Sequence, residues 1–167
     1  MYYFAYGSNL HRKQMQQRCP DSRPVARVKL QGYRLKFNRV ADIMAEKEAE
    51  TWGAIYTVTP EDIKHLDRYE GYPSLYTKME ITVEDEKGQT YPAFAYVMTI
   101  KGCKEPSDGY YQTIQEGYRD WGLEMGPLKQ AREQSRCGLF RRQQGVWGQG
   151  KGFSAKKRPR PGGKKML

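Results

Sequence analysis

The sequence predicts an α+β domain. Short aromatic or alternating runs with strand character recur from Tyr2 to Thr99, and two segments opening at Thr59 and Ser107 carry helix-start chemistry. The two kinds of segment do not alternate regularly, as parallel βαβ units would require, so antiparallel strands interrupted by helices are expected.

Tyr2 to Tyr6 (YYFAY) is an aromatic run stopped by Gly7 and reads as a buried strand. Val25 to Phe37 holds two β-rich pieces around Gln31-Gly32, and Trp52 to Val58 is a further strand. The stretch between them, Arg39 to Thr51, has no clear period and reads as an acidic, mobile flank of a pocket. Thr59-Pro60-Glu61-Asp62 then opens a helix: Thr59 supplies the N-cap, Pro60 suits the first turn, and the acids meet the positive end of the dipole. Ile63 and Leu66 form its apolar stripe, and Gly71 with Pro73 ends it. Lys78 to Glu84 alternates polar and apolar residues, Asp85 to Gly88 turns the chain, and Tyr91 to Thr99 returns as the hairpin partner. Ser107 caps a helix running through Trp121 with Gly122 as its stop, and a last helix is expected from Pro127 to Cys137.

Charge divides the chain at Gly138. Nine of the 29 basic residues and none of the 19 acidic ones lie from there to the end, which leaves the preceding part at +1 out of a total of +10. Residues 1–137 therefore form the expected domain. Residues 138–167, rich in Gly, Gln, Pro and Lys, form a basic tail that cannot bury enough apolar area to offset its ordering entropy and is expected to be disordered. Such a tail attracts nucleic acid weakly and without sequence preference, so nucleic acid is not an expected partner of the domain. No apolar run approaches the ~20 residues of a membrane helix. Cys19, Cys103 and Cys137 are odd in number, widely spaced and read as free thiols, which points to a cytoplasmic protein. His11 and His65 have no metal-ligand spacing and read as surface polar residues; neither a metal nor a cofactor is expected.

The stretch Tyr6-Gly7-Ser8-Asn9-Leu10 follows the first strand directly. A strand ending in Gly-Ser-Asn turns sharply and exposes successive backbone N–H groups, with Gly7 allowing close approach or a positive φ. Such a concave cluster of donors suits a carboxylate or an oxyanion. From the residue types alone an ordinary turn leading into a helix fits as well.

YFAYGSNL at Tyr3 to Leu10 resembles the signature that opens the γ-glutamylcyclotransferases and their relatives. Two further segments match in the right order: Leu66 to Pro73 (LDRYEGYP) followed by Tyr76, and Pro106 to Tyr110 (PSDGY) leading into a helix that ends in Gly122-Leu123. The Trp52-Gly53 strand is similar too, and the match spans roughly residues 2–123. The resemblance implies a mixed β-barrel or sheet with flanking helices. It also implies a substrate loop at Tyr6, Gly7, Ser8, Asn9 and Leu10, a catalytic Glu70, and a substrate-binding tyrosine, which distance from Gly122-Leu123 assigns to Tyr110 rather than Tyr111.

The implied chemistry is intramolecular. The α-amine of a γ-glutamyl compound attacks its own γ-carbonyl, closes 5-oxoproline and expels an amine or amino acid. One carboxyl group can take the proton from the nucleophile and deliver it to the leaving amine, worth ~10²–10⁴-fold. Glu70 is suited to that work, being at the end of a helix among Tyr69, Tyr72 and Pro73, where burial raises a carboxyl pKa. Taken without the resemblance, Glu70 also fits a solvated carboxylate, as does Asp67 on the same helix. The leaving group stays open between amino acids, the amines of a γ-glutamylamine cyclotransferase, and a biosynthetic deprotection. A reading of another class is an inactive binding scaffold whose tail contacts nucleic acid.

Overall fold

The computed structural model describes residues 1–145. The elements run β1 (Tyr2–Ala5), a single 3-10 turn (Ser8–Leu10), α1 (Arg12–Arg18), β2 (Arg23–Asn38), β3 (Val40–Thr57), α2 (Pro60–Glu70), β4 (Tyr76–Asp85), β5 (Thr90–Met98), α3 (Asp108–Asp120) and α4 (Gly126–Gly145). The five strands close into a barrel in the order β1-β3-β2-β4-β5. Closure is completed by a parallel contact between Tyr3 of β1 and Phe94 of β5, so the short first strand is paired on both sides. The α+β expectation holds, with four α-helices beside the barrel among the described residues.

The region between Arg39 and Thr51 departs from its sequence reading. It is the first two-thirds of β3, paired antiparallel with β2 from Asn38↔Val40 at the hairpin tip down to Arg23↔Thr57. Residues 44–49 are mostly exposed and rich in Glu, Lys and Ala, which are weak strand formers. Of these only Met44 and Ala45 pair with β2; residues 46–49 bulge out between the Tyr33↔Ala45 and Gln31↔Glu50 pairs. Gln31-Gly32, which looked like a break between two strands, is a bulge inside one: the register shifts between Gln31 and Tyr33, and Gly32 has φ 80.

The helices keep their expected starts. Thr59 and Asp62 form a reciprocal capping box on α2, and Ser107 accepts from the Tyr110 amide at the start of α3. After β1 the chain makes the 3-10 turn and then a separate α1, whose N-cap is His11 accepting from Gln14. α4 continues past the expected end at Cys137 to Gly145, since one glycine within Gly138-Leu139-Phe140-Arg141 weakens a helix without forbidding it. Leu128 and Ala131 of α4 are buried against the barrel. The remainder of the basic tail, residues 146–167, lies outside the described residues.

Candidate active site

Glu70 is the last residue of α2, and its position is set by how that helix ends. Gly71 adopts a left-handed conformation (φ 64), and the Tyr72 amide donates back to the Asp67 carbonyl at 2.9 Å. A side chain at Gly71 would be strained in that conformation and would press on Leu75, so the sharp stop after Glu70 depends on glycine.

The loop after β1 approaches Glu70 from the other side. Leu10 donates to the Gly7 carbonyl (3.0 Å) and His11 to Ser8 (3.1 Å), which winds the chain into its single turn. The carbonyls of the turn are tied from beneath, with Tyr56 Oη donating to Asn9 (3.2 Å) and Trp121 Nε1 to Leu10 (3.0 Å). The amides of Ser8 and Asn9 open the turn and have no acceptor among the described residues. Gly7 is needed for close approach and not for a positive φ: its φ is −117, and a Cβ there would sit 3.0 Å from Ala41 Cβ and 3.4 Å from Tyr110 Oη.

Asn9 joins the two halves. It is almost fully buried, with its Nδ2 donating to Glu70 Oε1 (3.3 Å) and Tyr3 Oη (2.9 Å), while its Oδ1 accepts from Arg18. Arg18 can only donate, so it fixes which way the Asn9 amide faces and keeps the NH₂ group toward Glu70. Arg18 is itself held by stacking on the Tyr69 ring at 3.5 Å and by a 3.4 Å contact to Ser8 Oγ.

These surroundings move the Glu70 carboxyl. Burial pushes its pKa up from 4.5 to about 7, against a smaller lowering by the Arg18 cation. Around it the wall is phenolic: Tyr3, Tyr6, Tyr76, Tyr96 and Tyr110 all line the cavity, and burial drives each hydroxyl above its ordinary pKa. They remain protonated donors. Tyr110 Oη accepts from the Ala41 amide (3.0 Å), which leaves its proton to donate elsewhere. Tyr6 Oη instead donates to the Tyr96 carbonyl (2.6 Å) and stiffens the wall.

The structure brings Tyr6, Gly7, Ser8, Asn9, Glu70 and Tyr110 together on one pocket of about 290 Å³. That volume is near the small end of the range for small-molecule sites, ~300–1,000 Å³. Leu10 is not among them. It is fully buried beneath the turn against Gly117, with its amide already bonded to Gly7, because an apolar side chain there packs α3 to the loop. Tyr111, the rejected alternative to Tyr110, is buried elsewhere, edge-on to Phe37 and beneath Arg132.

Two minor readings are corrected. Asp67 is not simply solvated: it accepts from Tyr96 Oη and pairs with Lys78 at 2.8 Å. His11 is not a free surface residue, since Nδ1 caps α1 and Nε2 lies 2.8 Å from Glu116. Sequence reasoning gave no site role to Tyr3, Tyr96 or Arg18, which come from separate elements and meet only in the closed barrel; Val40 and Ala41 lie in the stretch read as a pocket flank. Tyr69 and Tyr76 carried a signal, the one by its adjacency to Glu70 and the other as the end of the matched segment.

A family model described as γ-glutamyl cyclotransferase, AIG2-like, matches residues 3–121. The chain belongs to that family. The match covers both halves of the pocket and stops at Trp121, before α4. Among curated relatives, the bovine and mouse proteins named γ-glutamylcyclotransferase are 29% and 30% identical over 134 residues, covering 72% of this chain and 71% of each relative. A solved structure named γ-glutamyl cyclotransferase superposes with a TM-score of 0.72 at 25% identity, covering 78% of this chain and 85% of that one. The chain is thus a cyclotransferase-type enzyme by family, on the fold that its own sequence indicated.

Proposed function

We propose that this enzyme cyclises γ-glutamyl amides or peptides to 5-oxoproline, releasing an amine or amino acid, with Glu70 as the proton shuttle. The observation that carries the reading is a carboxyl group with a pKa raised to about 7, oriented by Asn9 beside loop amides that have no acceptor among the described residues. Near neutral pH such a group is divided between its two forms, which suits an acid/base that must first accept and then donate.

In this mechanism the substrate's α-ammonium gives a proton to the Glu70 carboxylate, and the free amine attacks the γ-carbonyl. Attack is intramolecular, so binding the substrate folded supplies much of the ordering. The developing oxyanion takes hydrogen bonds from the amides of the Gly7–Asn9 segment, with Tyr110 as a further donor; Tyr6 forms the wall behind them. Collapse breaks the C–N bond while Glu70 returns its proton to the departing nitrogen, and the second proton, shed by the new ring nitrogen, leaves the released amine as its ammonium. No water is consumed. The substrate is a small γ-glutamyl compound and the setting a cytoplasmic one. In keeping with that, Cys19 and Cys103 are free thiols, and among the described residues no helix is long and apolar enough to cross a membrane.

The test uses the nucleophile. A γ-glutamyl compound should release 5-oxoproline and free amine in equal amounts, and its N-acetylated counterpart should give no ring product. Release of glutamate would mean hydrolysis, and failure to turn over any member of a broad γ-glutamyl panel would favour a binding scaffold.

A further inference from the structure

A second depression of about 840 Å³ opens beside the catalytic pocket and shares Val40 and Tyr110 with it. A γ-glutamyl group bound against Glu70 and the Gly7–Asn9 amides has its leaving group on the far side of the scissile bond, and this basin is the adjoining space. Its charges are mostly spent on each other. Arg132 bonds to Glu105 and Asp108, and Arg136 bonds to Glu105, so both carboxylates of the basin are engaged. Arg39 is different. It lines the same basin, is exposed, and its guanidinium has no carboxylate partner among the described residues.

Arg39 also occupies an unusual place in the backbone. It is the single residue at the tip of the β2–β3 hairpin, between the paired Asn38 and Val40, and it has φ 66, the one positive φ outside glycine among the described residues. Glycine or asparagine adopts that conformation with least strain, and a long cationic side chain gains nothing locally by being there. The tip is pinned: the Arg39 amide donates to the Lys104 carbonyl (3.0 Å) and Asn38 Nδ2 to Ile100 (3.3 Å). A strained, anchored and unpaired arginine one residue from the pocket wall is a pre-positioned anion contact.

We propose that Arg39 is a specificity-determining residue that pairs with a carboxylate on the leaving group. This rests on the cyclotransferase reading and deepens it: the preferred substrates are γ-glutamyl amino acids or peptides whose released amine bears a nearby carboxylate, over γ-glutamylamines that lack one. The planar guanidinium fork suits a carboxylate geometrically.

The test compares γ-glutamyl-alanine with γ-glutamyl-ethylamine, whose leaving groups differ by that carboxylate, in the wild type, R39G and R39K. Wild type should favour γ-glutamyl-alanine by about tenfold in kcat/KM, the scale of one partly exposed charge-assisted contact. Arg39→Gly should abolish the preference, chiefly through KM, and leave turnover of γ-glutamyl-ethylamine unchanged. Arg39→Lys should keep part of the preference. Because glycine suits the tip conformation, R39G should melt no lower than wild type, which separates recognition from folding. Equal wild-type rates for the two substrates, or an equal loss on both in R39G, would overturn the role of Arg39 and leave the cyclotransferase reading standing. No 5-oxoproline from either substrate with the wild type would overturn the cyclotransferase reading itself, and this role with it.

Discussion

Two concavities of this molecule differ in a way that size does not convey. The larger, about 640 Å³, lies between the β2–β3 sheet and α4, and is bordered by Arg27, Arg34, Glu50, Trp52 and Leu123. The smaller, about 290 Å³, holds Glu70. In the larger cleft most charges are already matched: Arg27 with Glu86, Arg34 with Glu46, and Glu50 with Lys29 and the Trp52 indole, with Glu124 the exception among the described residues. Such partly exposed pairs are content as they are and drive no chemistry. In the smaller one a carboxylate is buried with only a distant cation and one amide for company, and its proton affinity rises accordingly. Reactivity follows from what the lining leaves unsatisfied, and room alone supplies none.

The comparison is most easily broken at Glu70 itself. Glu70→Gln keeps size and the hydrogen bond from Asn9 but cannot carry a proton, so turnover should fall at least ~10²-fold with substrate affinity largely kept. The same variant should be more stable than the wild type at pH 8. Glu70 holds its proton more tightly folded (about 7) than its ordinary value of 4.5. Its contribution to stability is therefore full below about pH 4.5 and is lost as pH rises through 7. Removing the ionisable group lifts that penalty, by about 1–2 kcal/mol once partial exposure is allowed for. A gain in melting temperature at pH 8 that vanishes at pH 4 would show that the site trades stability for reactivity. Near-normal turnover in the glutamine variant would defeat the mechanism.

The opposite result is expected in the larger cleft. Trp52→Ala removes a partly buried ring from that wall and should destabilise the fold by about 1–3 kcal/mol, less than a fully buried tryptophan would. Its kcat on the folded enzyme should be unchanged within a factor of ~2, since no reacting group depends on it. A catalytic loss there comparable to that at Glu70 would mean that the two cavities are not independent.

How much of this was legible beforehand depends on how the information is stored. Glu70, Gly7, Ser8 and Asn9 lie in short contiguous motifs and stood out through the family resemblance those motifs carry; on residue types alone an ordinary turn and a solvated carboxylate fitted as well. Tyr3, Tyr96 and Arg18 shape the same pocket, yet each was given no role in its own element and acquires one only when the barrel closes. Leu10 was included for its place in the motif, although an apolar residue there serves packing. The Val40–Thr51 part of β3 was hidden for a related reason: its exposed Glu, Lys and Ala residues have little strand preference, and residues 46–49 sit in a bulge between the Tyr33↔Ala45 and Gln31↔Glu50 pairs. Arg39, at the tip of the same hairpin, is meaningful only once its φ and its neighbours are known.

The most direct test of the central claim, that burial tunes Glu70 for proton transfer, is the pH dependence of kcat/KM. The mechanism needs Glu70 ionised in the free enzyme, so kcat/KM should climb with pH along a limb with an apparent pKa near 7. Arg18→Met removes the cation that favours the carboxylate, so that limb should move to higher pH. A limb at the ordinary carboxylate value of 4.5, unmoved by the loss of Arg18, would contradict the account.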